Sequence, residues 1–181
     1  MKLGVFGGTF NPVHLGHLVL AEAAVEAFGL DRLLFVPCAS PPHKGSEALA
    51  PVEDRLEMTR LATEGNPRFA VSDLEARRPG PSYTVDTLEA LRREEPSAQL
   101  WLVLGADMGP TMATWKAPER VRALARVCVA SREGYEGGEF RIPTIGVSSS
   151  DLRDRVAQGR SIRYLTRDAV RRYIEDKGLY R

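Results

Sequence analysis

The chain has 181 residues, with 25 basic and 24 acidic side chains and a formal net charge of +1. That length suffices for one domain with a full core, and the balanced charge gives no footing to a protein that coats nucleic acid or lies on an anionic membrane. No apolar run approaches the roughly 20 residues that span a bilayer, and the first residues read as a strand and not as a leader, so a cytoplasmic protein is expected.

Residues 2–6 form a short apolar run that fits a buried strand. Gly7 and Gly8 read as the loop after it, and residues 18–28 carry apolar and small side chains at helical spacing. Residues 33–36, stopped by Pro37, are a second strand, and strand, helix, strand makes a right-handed unit with parallel strands. Ser40-Pro41-Pro42-His43-Lys44-Gly45 is a stiff loop ending in two potentially cationic groups. Pro51 fits the first turn of a helix through Arg55, Leu56 and Leu61 towards Gly65, and residues 69–72 are a third strand.

After a loop at 77–81, Ser82 or Thr84 is placed to cap a helix whose inner face holds Val85, Leu88 and Leu91. Residues 100–104 are the clearest strand, with Trp101 an anchor inside it, and they run into Gly105-Ala106-Asp107. A short helix at 118–124, a strand at 127–130 and a surface turn at 134–138 follow. Cys38 and Cys128 sit in or beside apolar runs without metal-ligand spacing and read as buried thiols. Residues 142–147 lead into Ser148-Ser149-Ser150, which opens a helix, and Thr166 begins the last one, with Val170, Tyr173 and Ile174 inward and Gly178 as its stop. The alternation predicts an α/β fold: one Rossmann-like open parallel sheet over residues 1–181, with helices on both faces. Ligands of such sheets sit beyond the carboxyl ends of the strands, where the strand order reverses.

The unusual residues fall in those loops. Adjacent glycines let the backbone approach a bulky anion, and a following helix start offers amide donors and a positive dipole end. His14 and His17, three apart, share one helix face. Together they describe a phosphate site, against the plainer readings of a common turn and capping histidines. Lys44, beside His43, is either a solvated side chain or a point charge on phosphate. Ser149, Ser150 and Arg153 are either a cap with a surface arginine or a set of donors facing an anion. Asp107 ends a strand, where a carboxylate caps a turn or bonds a ribose. Trp115 reads as an anchor for its loop.

Gly7 to His17 resembles the signature of the nucleotidyltransferase superfamily, and a serine-rich segment ending in Arg153 stands in the late position where that superfamily holds the β- and γ-phosphates. Pro41-Pro42-His43-Lys44, Ser82-Tyr83-Thr84-Val85-Asp86-Thr87-Leu88, Gly105 to Trp115 and the tail from Tyr164 to Tyr180 are similar to the bacterial nicotinate-nucleotide adenylyltransferase family. Two departures are visible: Asn11 stands where the family usually has Asp, and Ser150 where it commonly has Thr. The resemblance implies transfer of the adenylyl group of ATP to nicotinate mononucleotide, with Mg²⁺ held mainly by the ATP phosphates and no protein cage for it. It also implies roles: His14, His17, Lys44 and Arg153 in catalysis; Gly7, Gly8, Thr9, Phe10, Gly105, Asp107, Ser149 and Ser150 on ATP. Asn11, His43, Lys44, Tyr83, Thr84 and Trp115 would hold the mononucleotide, with Trp115 stacked on its pyridine ring, and the C-terminal helices from about 148 would complete the triphosphate site. A sister adenylyltransferase acting on phosphopantetheine shares the first and last motifs but not the middle ones, and a non-catalytic nucleotide sensor would have no need of both histidines and Arg153.

Overall fold

The computed structural model describes residues 1–41, 49–131 and 137–181. In chain order its elements are β1 (Lys2–Gly8), α1 (Leu15–Phe28), β2 (Arg32–Pro37), α2 (Val52–Thr63), β3 (Phe69–Val71), α3 (Thr84–Glu94) and β4 (Gln99–Leu104). A 3₁₀ turn (Gly109–Thr114), α4 (Pro118–Leu124), β5 (Arg126–Ser131), β6 (Phe140–Arg141), α5 (Ser149–Ala157) and α6 (Asp168–Lys177) follow. All strands pair in parallel in the order β3-β2-β1-β4-β5-β6. The apolar run at the start of the chain is therefore central, with β2 on one side and β4 on the other.

A strand paired on both edges and covered on both faces needs apolar residues of both parities. Phe6, Trp101 and Val103 point to one face, where they meet Leu20, Ala21 and Val25 of α1, Met58 of α2, Leu152 of α5 and Val170 and Ile174 of α6. Leu3, Val5, Leu100, Leu102 and Leu104 point to the other, against Val85, Leu88 and Leu91 of α3, Val121 and Leu124 of α4 and Met112 of the 3₁₀ turn. The expected architecture, helices on both faces of one parallel sheet, is the one found. Among the described residues no helix is long and apolar enough to cross a membrane.

Several local expectations need correction. Gly7 and Gly8 are not a loop; they are the last residues of β1, because β2 stays alongside and pairs them with Val36 and Pro37. α1 begins at Leu15, not Leu18, since an extended His14 (φ −143°) caps it and Leu165 accepts the Leu15 amide at 3.0 Å. Pro51 is the residue before α2, not one in its first turn. Tyr83 takes the cap position of α3; Ser82 instead accepts the Ser40 amide at 3.2 Å. Thr166 stands outside α6, because its hydroxyl donates to the Val13 carbonyl at 2.9 Å. Cys128 is buried, whereas Cys38 is only partly so. β6 carries no signal of its own: two residues become a strand only where β5 offers an edge. Most of the expected turn at 134–138 lies outside the described residues.

Candidate active site

The strand order reverses between β1 and β4, and the carboxyl ends of β1, β2 and β4 open on one edge of the sheet. There the chain leaves β1 in a constrained turn. A Cβ on Gly8 would lie 2.9 Å from the Phe10 ring, while one on Gly7 would meet nothing within 4 Å. Phe10 itself is 1 % exposed and takes a left-handed φ of 44°, a conformation that costs a non-glycine residue of order 1 kcal/mol. Its ring packs edge-on to Phe6 at 5.4 Å and to His17 at 5.1 Å, which holds the turn in place.

The two histidines form a stack, with ring centroids 3.7 Å apart. The His14 backbone N–H donates to His17 Nδ1 at 3.2 Å. That bond keeps the proton of a neutral His17 on Nε2. His14 is buried, and desolvation pulls its pKa from 6.5 to about 4, so its imidazole is neutral at physiological pH. Its Nδ1 has no hydrogen-bond partner among the described residues. Gly16 makes the room, since a Cβ there would sit 3.1 Å from the His14 ring.

The late part of the chain docks on this turn. Ser148 caps α5 by accepting the Asp151 amide at 3.1 Å, as expected. Ser149 Oγ donates to the Pro12 carbonyl at 2.9 Å, and Arg153 donates to the Asn11 carbonyl at 2.9 Å and to Ser150 Oγ at 3.4 Å. Tyr180 donates its hydroxyl to Asn11 Oδ1 at 2.7 Å, and the same oxygen accepts the Ala50 amide at 3.0 Å. Residues Asn11, His14, His17, Ser149, Ser150 and Arg153 are thus drawn together. His43 and Lys44 lie outside the described residues.

The remaining candidates occupy the β4 and α3 side. Gly105 and the exposed Asp107 follow β4. Tyr83 and Thr84 start α3, which is tied to the end of β2 by the Ser82 amide donating to the Ser40 carbonyl at 2.8 Å. Lys116 pairs with Asp86 at 3.1 Å and lies 4.6 Å from the Tyr83 ring centre. Trp115 is half-buried against the second core and donates Nε1 to Thr111 Oγ1 at 3.3 Å. Among the described residues no hydrogen bond joins Asp107, Thr84 or Trp115 to the histidine pair, and no group of three His, Cys, Asp or Glu side chains is placed to hold a metal ion.

Sequence reasoning missed Arg55, Glu75, Thr166 and Tyr180. Glu75 is buried under α3, where it accepts Thr87 Oγ1 at 2.6 Å, and burial raises its pKa. Arg55 had one available signal: it is in phase with Thr59 and Ala62 on the buried side of α2. Thr166 was read only as a helix start and Tyr180 only as part of the family-like tail, because their partners are 153 and 169 residues away.

The histidine pair, the capped start of α5 and Arg153 meet at the sheet edge where β1 and β4 diverge, and residues 5–155 match the family described as cytidylyltransferase-like. A relative from Thermus thermophilus is 48 % identical, with all of both chains aligned, and one from Thermomicrobium roseum is 44 % identical over 99 % of this chain and 92 % of its own. Both carry the name "Probable nicotinate-nucleotide adenylyltransferase". The solved Plasmodium falciparum nicotinic acid mononucleotide adenylyltransferase complexed with NaAD shares the fold, with a TM-score of 0.82 at 17 % identity over 99 % of this chain and 97 % of that one. The chain belongs to the cytidylyltransferase-like nucleotidyltransferases, and within them to the nicotinate-nucleotide adenylyltransferase family.

Proposed function

We propose that the protein joins ATP to nicotinate mononucleotide, giving deamido-NAD and pyrophosphate, and that it does so with the residues gathered at the β1 turn. The observation that carries this reading is the stacked His14–His17 pair, tied through the backbone of Asn11 and Pro12 to Arg153 and Ser149. The acceptor's phosphate oxygen attacks the α-phosphorus of ATP in line with the departing pyrophosphate. That nucleophile is already an anion, so the site needs no general base. It must hold two mutually repelling polyanions in line and stabilise charge on the transferring and leaving groups.

His17 suits the first task, with Nε2–H as a donor fixed by the His14 amide. His14, neutral and with Nδ1 lacking a protein partner, is a second donor to phosphate oxygens in the tautomer that carries its proton on Nδ1. Arg153, Ser149 and Ser150 at the start of α5 take the leaving pyrophosphate, so the C-terminal helices complete the triphosphate site. Gly7 to Phe10, Gly105 and Asp107 line the rest of ATP, with Lys44 near the reacting phosphates. Asn11, His43, Tyr83, Thr84 and Trp115 hold the mononucleotide. Its carboxylate meets the amides at the α3 start, and Trp115 stacks on the pyridine. Mg²⁺ bound to the triphosphate supplies electrophilic stabilisation of the leaving charge. A cytoplasmic location is consistent with an enzyme that acts on these two soluble metabolites.

The test is pyrophosphate release by the purified protein with ATP, Mg²⁺ and each candidate acceptor. Turnover with nicotinate mononucleotide and none with phosphopantetheine is the expected result. Nucleotide binding without turnover on any acceptor would instead make this a sensor.

A further inference from the structure

Arg55, in the first turn of α2, is 1 % exposed. A buried guanidinium is costly to desolvate, and proteins usually set one against a carboxylate. Arg55 gives its donors to backbone carbonyls instead. Nε donates to Ala50 at 2.9 Å, Nη1 to Thr9 at 2.9 Å and to Cys38 at 2.6 Å, and Nη2 to Ala39 at 3.3 Å. These carbonyls come from three separate places: the turn after β1, the end of β2 and the approach to α2. An apolar side chain could fill the volume, but only a planar fork with several fixed donors can join all three.

The joined segments lead on to residues assigned above to the acceptor. Thr9 is two residues before Asn11, whose side chain also accepts the Ala50 amide. Cys38 and Ala39 run into Ser40, which exchanges hydrogen bonds with Ser82 immediately before Tyr83. Arg55 is therefore the hub of a lattice running from Asn11 to the start of α3. Its charge has no ion-pair partner among the described residues, and in a water-poor interior such a charge is felt further than one at the surface.

We propose that Arg55 is a positioning residue for the acceptor mononucleotide. It fixes the distance between the Asn11 turn and the Tyr83–Thr84 wall, and adds a buried positive charge where the acceptor's phosphate approaches ATP. This rests on the assignment of Asn11, Tyr83, Thr84 and Trp115 to the mononucleotide, made above.

The test is steady-state kinetics on the full chain with each substrate varied in turn. Arg55→Lys keeps the charge but not the fork; Arg55→Met loses both. Thr59→Val serves as a control for stability alone, because the buried Thr59 hydroxyl donates only to the Arg55 carbonyl within α2, at 2.7 Å. Trp115→Ala reports on the site itself. Arg55→Lys should raise KM for nicotinate mononucleotide about tenfold, Arg55→Met more, each leaving KM for ATP within about threefold, and Thr59→Val should move neither constant. If both Arg55 variants fail to fold, Ser82→Ala decides, since it cuts the same lattice one link away and must show the same split. Unchanged or equal shifts of the two constants, with a raised mononucleotide KM in Trp115→Ala, overturn the role of Arg55 alone. If Trp115→Ala also leaves the mononucleotide KM unchanged, the assignment of the site falls with it.

Discussion

His14 and His17 are neighbours in one stack, yet their surroundings differ. His14 is 8 % exposed and its pKa is lowered by desolvation to about 4, against 6.5 in the unfolded chain. A histidine kept neutral by burial stabilises the fold above its unfolded pKa, and that stability is lost as pH falls through the window down to the folded value. The ligand-free protein should therefore lose about 3 kcal/mol of stability between pH 6.5 and pH 4 through this group. Urea denaturation across that range checks it, and His14→Asn should flatten the slope. His17→Ala should keep the fold and lower turnover about 10²-fold, as loss of a donor to transition-state charge does; near-normal turnover in a folded variant would remove His17 from the chemistry. The histidine pair was legible in the sequence because three-residue spacing at a helix start is a local fact. Arg55 and Tyr180 were not, because what they do is set by carbonyls and an amide oxygen brought to them by the whole fold.

Among the elements, α5 shows how a short helix serves two purposes with one turn. Its cap is intrinsic, through Ser148, while Ser149 and Arg153 reach back to the carbonyls of Pro12 and Asn11. The residues themselves were readable only as a helix start, and their convergence on the first motif came from the family resemblance alone, since nothing local distinguishes a capped surface helix from one that docks on a distant turn. Arg153→Ala removes a charge-assisted group of about 1.5–3 kcal/mol, so ATP should bind at least tenfold more weakly while mononucleotide binding changes little. Calorimetric titration of each nucleotide separates the two. The strands follow the same rule of legibility. Those buried on both faces announce themselves as apolar runs. β6 does not, because two residues are defined by their neighbour β5 alone.

At the scale of the molecule, the sheet's first face binds distant parts of the chain into one core, from Phe6 in β1 to Ile174 in α6. Ile174 is 1 % exposed, and truncating such a residue to Ala costs about 2–5 kcal/mol. Ile174→Ala should lower the melting temperature without splitting the transition: tryptophan fluorescence and far-ultraviolet circular dichroism should still melt together. Separate transitions would mean that α6 is a removable appendage. Docking of α6 is reinforced by Tyr173, which donates to Asp54 on α2 at 2.8 Å. The overall architecture was the most legible level, since alternating strand and helix patterns permit few parallel sheets.

The bond from Tyr180 to Asn11 spans 169 residues, and that separation is also a delay. A ribosome adding about 5–20 residues per second needs roughly 10–30 s to make the intervening chain. For that time Asn11 Oδ1 has yet to accept the Tyr180 hydroxyl, and for most of it the Pro12 and Val13 carbonyls have yet to accept those of Ser149 and Thr166. The turn after β1 is thus translated long before the segments that tie it down, and its bonds to α5, Thr166 and Tyr180 form only once those segments have left the ribosome.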